Sequence, residues 1–168
     1  MDRRSFDEVV VPHLDAAHRL ARWLTGNDHD AEDVVQDASL RAIRYFRTFS
    51  GRNGRAWFLT IVRNSCSEWY HRNRTATEVF DEEQHSSWPL MPDQETMVLR
   101  SDSAVLLERA MRDLPERFRE LLVLRELEGL SYQQLANVLE VPIGTVMSGL
   151  SRARQALRRA LAYSQQLR

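Results

Sequence analysis

The residues best equipped for chemistry lie in one stretch, WFLTIVRNSCSEWYHRNR, residues 57–74. Trp57, Trp69 and Tyr70 carry rings that stack on bases. Arg63, Arg72 and Arg74 carry cations for phosphates, and the amide of Asn64 matches a base edge. At about 100° per residue, Phe58, Ile61, Val62 and Trp69 gather on one side with Ser65 and Cys66. Thr60, Arg63, Asn64, Ser67, Tyr70, His71 and Arg74 occupy the other, with Trp57 at the margin. That pattern fits a helix that handles unpaired bases, and it fits equally a core helix with a solvated basic side. A second cluster, DHDAED (Asp28–Asp33), offers carboxylates to a divalent metal and hence to a nuclease. The same acids suit a helix N-terminus, where they oppose the backbone dipole. His13, His18, His29, His71 and His85 show no paired metal spacing, and the lone Cys66 cannot build a cysteine-rich zinc site. No catalytic residue, metal ligand or cofactor is expected.

The elements that must position these residues are helical. Apolar residues recur at a period of 3.6 almost everywhere, and no long Val/Ile/Thr alternation marks a strand. Helices are predicted from Val10 to Thr25, ending at Gly26-Asn27, and from Asp30, as cap, to Phe46. After a loop at Ser50–Gly54 comes the helix of residues 57–74. Further helices are predicted over Ser103–Asp113, from Pro115 to Gly129, from the SYQQ capping box at Ser131–Gln134, and from Pro142 to the end. The fold class is therefore all-α, with two small helical domains. Residues 1–75 form an N-terminal bundle, residues 76–102 an acidic flexible linker and residues 103–168 a helix-turn-helix domain.

Charge sharpens this division. All 23 basic residues are arginine, against 24 acids, for a net charge of −1. Arg41 to Arg74 holds eight arginines and one acid, Glu68; Pro142 to Arg168 holds five arginines and no acid; Ala76 to Asp102 holds seven acids and one arginine. Two basic blocks around an acidic one suggest two anion-binding surfaces joined by a repelled connector. No apolar run approaches membrane-spanning length, so direct membrane insertion is not expected. A single cysteine fits a reducing, cytoplasmic compartment.

LSYQQLANVLEVPIGTVMSGLSRAR has the grammar of a helix-turn-helix. Leu135, Ala136 and Leu139 point inward, a tight turn at Glu140-Val141 follows, and Pro142 sets the first helical φ. Ile143, Val146, Leu150, Ala153, Leu157 and Leu161 are expected to share the buried face. Thr145, Ser148, Arg152, Gln155 and Arg159 share the outer one, without an acid among them. Short hydrogen-bonding groups first and arginines afterwards suit base edges and phosphates in turn. Upstream, Val34, Ala38, Ala42 and Tyr45 are expected to face inward, while Leu40 projects among Asp33, Gln36, Asp37 and Arg44. An exposed leucine ringed by charge suits protein docking. A stand-alone DNA-binding regulator shares most of these features.

DAEDVVQDASLRAIRYF, then WFLTIVRNSCSEWYHRNR, then LPERFRELLVLRELEGLSYQQLANVLEVPIGTVMSGLSRAR, in that order, resemble bacterial RNA polymerase sigma factors of the extracytoplasmic-function (ECF) group. The resemblance implies a factor that directs core polymerase to promoters and assists their melting in response to stress or a signal. It implies docking on the clamp helices of the largest polymerase subunit through Asp33, Gln36, Asp37, Leu40 and Arg41. It implies capture of single-stranded minus-ten DNA by the loop from Phe49 through Gly54, with Phe49, Trp57, Arg63, Asn64 and Tyr70. Duplex minus-thirty-five DNA falls to Thr145, Met147, Ser148, Ser151, Arg152 and Arg154. An anti-sigma factor is the expected antagonist. Met147 and Gly149 stand where the family often carries arginine, which removes two charges from the expected DNA contact.

Overall fold

The computed structural model describes residues 5–75 and 102–166. Among the described residues every regular element is helical. The segment expected as linker lies almost wholly outside them, as does the side chain of Arg74.

The first half builds one lobe. Ser5 opens α1 (Phe6–Val10) with a capping box: its hydroxyl accepts from the Glu8 amide at 3.3 Å, and the Glu8 carboxylate accepts from the Ser5 amide at 3.1 Å. Pro12 lacks an N–H, and Val11–His13 tighten into a 3-10 turn, so the single helix expected from Val10 begins instead as α2 (Leu14–Thr25). Ala16, Ala17, Leu20, Ala21 and Leu24 line its buried face; the alanines let neighbours approach closely. Gly26, at φ 98°, ends α2 in the left-handed region that suits glycine. α3 (Asp28–Tyr45) is capped by Asn27 and not by Asp30: the Asn27 Oδ1 accepts from the Asp30 amide at 2.8 Å. Asn53 likewise caps α4 (Gly54–Thr75), accepting from the Ala56 amide at 3.0 Å. Helices α2, α3 and α4 pack on one another around Leu20, Val34, Ala38, Phe58 and Val62.

The second half builds the other. α5 (Asp102–Arg112), α6 (Glu116–Leu122), α7 (Tyr132–Leu139) and α8 (Ile143–Gln166) pack with α8 as the common partner. Pro115 stands immediately before α6, and its carbonyl accepts from Phe118 and Arg119 at 2.9 and 3.1 Å. A π-helical turn, Val123–Leu127, extends α6 toward Gly129. Both halves of the predicted Ser131–Gln134 capping box form, at 2.9 and 3.1 Å.

The two lobes touch. α2 packs against α6 and the π turn, and α4 against α7. Among the described residues, four ion pairs cross the boundary from arginines of the first lobe to glutamates of the second. Arg19 and Arg55 both hold Glu128, Arg63 holds Glu120, and Arg22 reaches Glu108.

Candidate docking and nucleic-acid interfaces

On α3, burial of Ala31, Val34, Ala38 and Ala42 turns the opposite face outward. Leu40 is 58% exposed, and Asp33 and Gln36 stand in solvent nearby. Two features differ from expectation. Tyr45 points outward, because α3 ends at that residue and the inward turn is completed by Phe46. Ile43, 57% exposed, lies three residues from Leu40 and widens the apolar point into a patch; the i+3 spacing was the available signal. Arg41 is committed within the lobe. It pairs with Asp37 at 2.9 Å and donates to Glu68 of α4 at 2.6 Å, and this hydrogen bond holds the guanidinium pKa above, and the Glu68 pKa below, its ordinary value. Arg41 therefore ties α3 to α4 and orients the patch.

The acids at the start of α3 are likewise engaged. Asp28 pairs with Arg22 at 3.0 Å, Asp30 with the cap Asn27, and Asp33 with His29 at 3.8 Å. Among the described residues no group of three or more His, Cys, Asp or Glu is placed to hold a metal ion.

The aromatic residues of the expected single-strand site form a corner. Phe49 lies 5.1 Å from Trp57 and 6.0 Å from Phe46, centroid to centroid, and Phe6 closes edge-on against Phe46 at 5.6 Å. All four rings are partly buried. Phe49 and Trp57 are thus braced by ring–ring packing, and the edge of the Phe49 ring borders Gly54. Asn64 is exposed, and its carbonyl accepts from Arg63 at 3.5 Å. Tyr70 meets His71 edge-on at 6.3 Å.

Arg63 is turned toward the other lobe: its Nε donates to Glu120 Oε1 at 2.6 Å. Leu59, Arg63, Cys66 and Tyr70 follow one another at spacings of four, three and four, a single stripe of α4. The stripe faces the second lobe. The charges of Glu120 and Glu116 reach Cys66, and Tyr70 lies near enough to Arg119 to act on its charge. Burial pushes the Cys66 thiol up and draws the Arg119 guanidinium down to about 10. Burial also raises Glu120, against the pull of Arg63. Glu128 is fully enclosed and accepts from Arg19 at 2.8 and 3.2 Å and from Arg55 at 2.7 Å. Sequence reasoning missed this boundary. In RELLVLRELEG, Glu120 and Glu128 resemble the solvated acids of any amphipathic helix, and their partners lie 57 to 109 residues away.

In the second lobe, Leu135, Ala136 and Val138 bury against Val146, Leu150 and Ala153. Glu140 takes the left-handed conformation, φ 55°, in the turn, and Val141 donates to the Ala136 carbonyl at 3.1 Å. Gly144, Thr145, Met147, Ser148, Ser151 and Arg152 are all exposed along α8. Ile143, expected on the buried face, is 44% exposed, because it begins the helix beyond the edge of α7. Arg154 donates to Glu126 of the π turn at 2.8 and 3.1 Å and so braces α8. Gly149 does not share the outer face: a Cβ there would meet Leu121 Cδ1 at 2.9 Å. The missing side chain allows α8 to seat on α6, so the departure at 149 concerns packing and only that at 147 concerns the outer surface.

Comparison with known proteins follows the same division. Residues 9–76 match the family model Sigma-70 region 2, and residues 104–157 match Sigma-70, region 4. The chain is 35% identical to the ECF RNA polymerase sigma factor SigE of Mycolicibacterium smegmatis, over 94% of its own length and 62% of that protein's. It is 32% identical to the RNA polymerase sigma-H factor of Pseudomonas aeruginosa, over 95% and 88%. Among solved structures it resembles the sigma factor RpoE in complex with the anti-sigma factor NepR from Bartonella quintana. The TM-score is 0.73 at 26% identity, with 94% and 96% of the two chains covered. CnrH in complex with the cytosolic domain of CnrY gives a TM-score of 0.67 at 26% identity, covering 96% and 90%. Two helical lobes, a helix-turn-helix with an acid-free outer face and relatives matched along most of their length lead to one conclusion: the chain belongs to the bacterial RNA polymerase sigma factors of the ECF group.

Proposed function

We propose that this protein directs core RNA polymerase to promoters and helps to melt them, acting as a cytoplasmic specificity subunit that performs no bond chemistry of its own. The observation that carries the reading is the pairing of an apolar docking patch on α3 with an acid-free outer face on α8, one on each lobe. Leu40 and Ile43, with Asp33, Gln36 and Asp37 around them, dock on the clamp helices of the largest subunit; Arg41 holds α3 in place. Asn64 and Arg63, with the braced Phe49–Trp57 corner and Tyr70, receive unpaired minus-ten bases. Thr145, Met147, Ser148, Ser151 and Arg152 meet duplex minus-thirty-five DNA. Residues 1–75 and 103–168 act as separate domains, and the acidic stretch 76–102 joins them.

The two elements lie about 25 base pairs apart, roughly 85 Å along B-DNA. A compact chain of this length has a radius of gyration of about 15 Å. The lobes must therefore part before both elements are read, and residues 76–101 at full extension reach about 90 Å. Parting breaks the arginine–glutamate pairs described above and releases Arg63 for the minus-ten strand. The relatives RpoE and CnrH are held in complexes with NepR and CnrY. By the same logic an anti-sigma factor, controlled by a stress or signal, restrains this chain. In vitro transcription with purified core polymerase on a genomic promoter library tests the reading. Specific initiation dependent on the chain is expected; failure of core to bind it, or to initiate better in its presence, overturns it.

A further inference from the structure

At about 100° per residue, Met147, Ser151, Gly144 and Ser148 fall within an arc of about 100° on α8. All four are exposed. This arc is uncharged, and the helix's unclaimed arginines come later, at Arg152, Arg158 and Arg159. Arg154 is spent on Glu126. Gly144 has open space around it, so its turn admits close approach. The exposed Ser148 hydroxyl donates to the Thr145 carbonyl at 3.2 Å, so its hydrogen is engaged and its oxygen remains an acceptor. Within this arc the first two turns of α8 therefore present an apolar knob, Met147 at 54% exposure, beside the Ser148 hydroxyl.

The major groove offers one apolar group, the thymine C5 methyl. It offers exocyclic amino donors on adenine and cytosine, and methyl and amino donor occur together only in an A·T pair. Building on the assignment of α8 to duplex DNA, we propose that Met147 is a specificity-determining residue: its thioether packs on a thymine methyl while Ser148 accepts from an adjacent amino group, so that α8 selects A·T pairs at this place. An arginine at 147 favours guanine instead, through O6 and N7.

The test uses holoenzyme assembled from core polymerase and the full chain on a promoter it initiates from. Each thymine of the upstream element is replaced singly by deoxyuridine, which removes only the methyl. Wild-type holoenzyme should lose about 4-fold in affinity at one or two positions, the worth of one buried methyl. Met147→Ala should abolish that difference, and Met147→Arg should shift selection toward guanine in a randomised element. Met147 is exposed, so an unchanged melting temperature separates these effects from misfolding. Insensitivity of the wild type to every deoxyuridine, or undiminished sensitivity in Met147→Ala, overturns the proposal. Arg152→Ala distinguishes the underlying assignment. If it weakens binding while no methyl matters, only the role of Met147 falls; if it also has no effect, α8 is not the DNA-reading helix.

Discussion

Glu128 is the residue whose loss should most directly part the lobes. Its side chain is fully enclosed, and its three short contacts all go to the other lobe, to Arg19 and Arg55. In the parted state the carboxylate returns to water, so Glu128→Gln penalises the closed arrangement and leaves the open one nearly untouched. Removing one partner of a buried ion pair costs about 3–5 kcal/mol. Here the side chains of Arg19 and Arg55 are 52% and 35% exposed, so the stranded guanidiniums regain water. The amide of glutamine also keeps one acceptor. A cost of about 2 kcal/mol follows, within the range for hydrogen bonds to charged groups, and shifts the closed-to-open ratio about 30-fold. Cys66 reports that ratio without engineering. It is the lone cysteine, buried on the same stripe of α4 as Arg63, whose guanidinium meets Glu120, and it is expected to react with a thiol reagent when that stripe is uncovered. Where reclosing outpaces the reagent, the rate tracks the open population. Glu128→Gln should therefore raise the Cys66 reaction rate about 30-fold and increase the radius of gyration in solution scattering. Arg19→Ala added to it should be markedly sub-additive. An unchanged rate together with an unchanged radius would refute the claim that these pairs hold the lobes together.

Other outcomes test the interfaces singly. Leu40→Asp, and separately Ile43→Asp, should abolish co-elution with core polymerase while leaving the circular dichroism and melting temperature intact. Asn64→Ala should reduce permanganate-reactive open complex without weakening the holoenzyme; equal reactivity would remove Asn64 from base capture. Arg152→Ala should weaken promoter binding and lower the slope of log affinity against log salt by about 1. Ser131→Ala removes a cap whose hydroxyl accepts from Gln134 at 3.1 Å, and should cost about 1 kcal/mol in thermal unfolding.

The helices were legible because their boundaries are set locally. Gly26, the Ser131–Gln134 box and Pro142 act within a few residues of themselves. Where two local devices competed, the nearer one won: Asn27 and not Asp30 caps α3, and Pro12 divides the first helix. Tyr45 and Ile143 were misplaced for one reason. Each stands at a helix end, where periodicity continues on paper but the neighbouring helix has run out. The docking patch was half visible, at Leu40, and Ile43 completed it. The boundary between the lobes was not visible at all. Nothing within ten residues of Glu128 distinguishes it from a solvated acid, and Leu59 finds its burial on the stripe that faces the second lobe.

Helix α6 has a double tenancy in consecutive residues. Glu120 grips Arg63 of the first lobe, and Leu121 lies directly beneath the bare backbone of Gly149. A side chain introduced at 149 must first displace the Leu121 methyl, one residue from that latch. An arginine placed there has to find room against Leu121 before it is a charge in a groove, so its effect on promoter binding mixes packing with recognition.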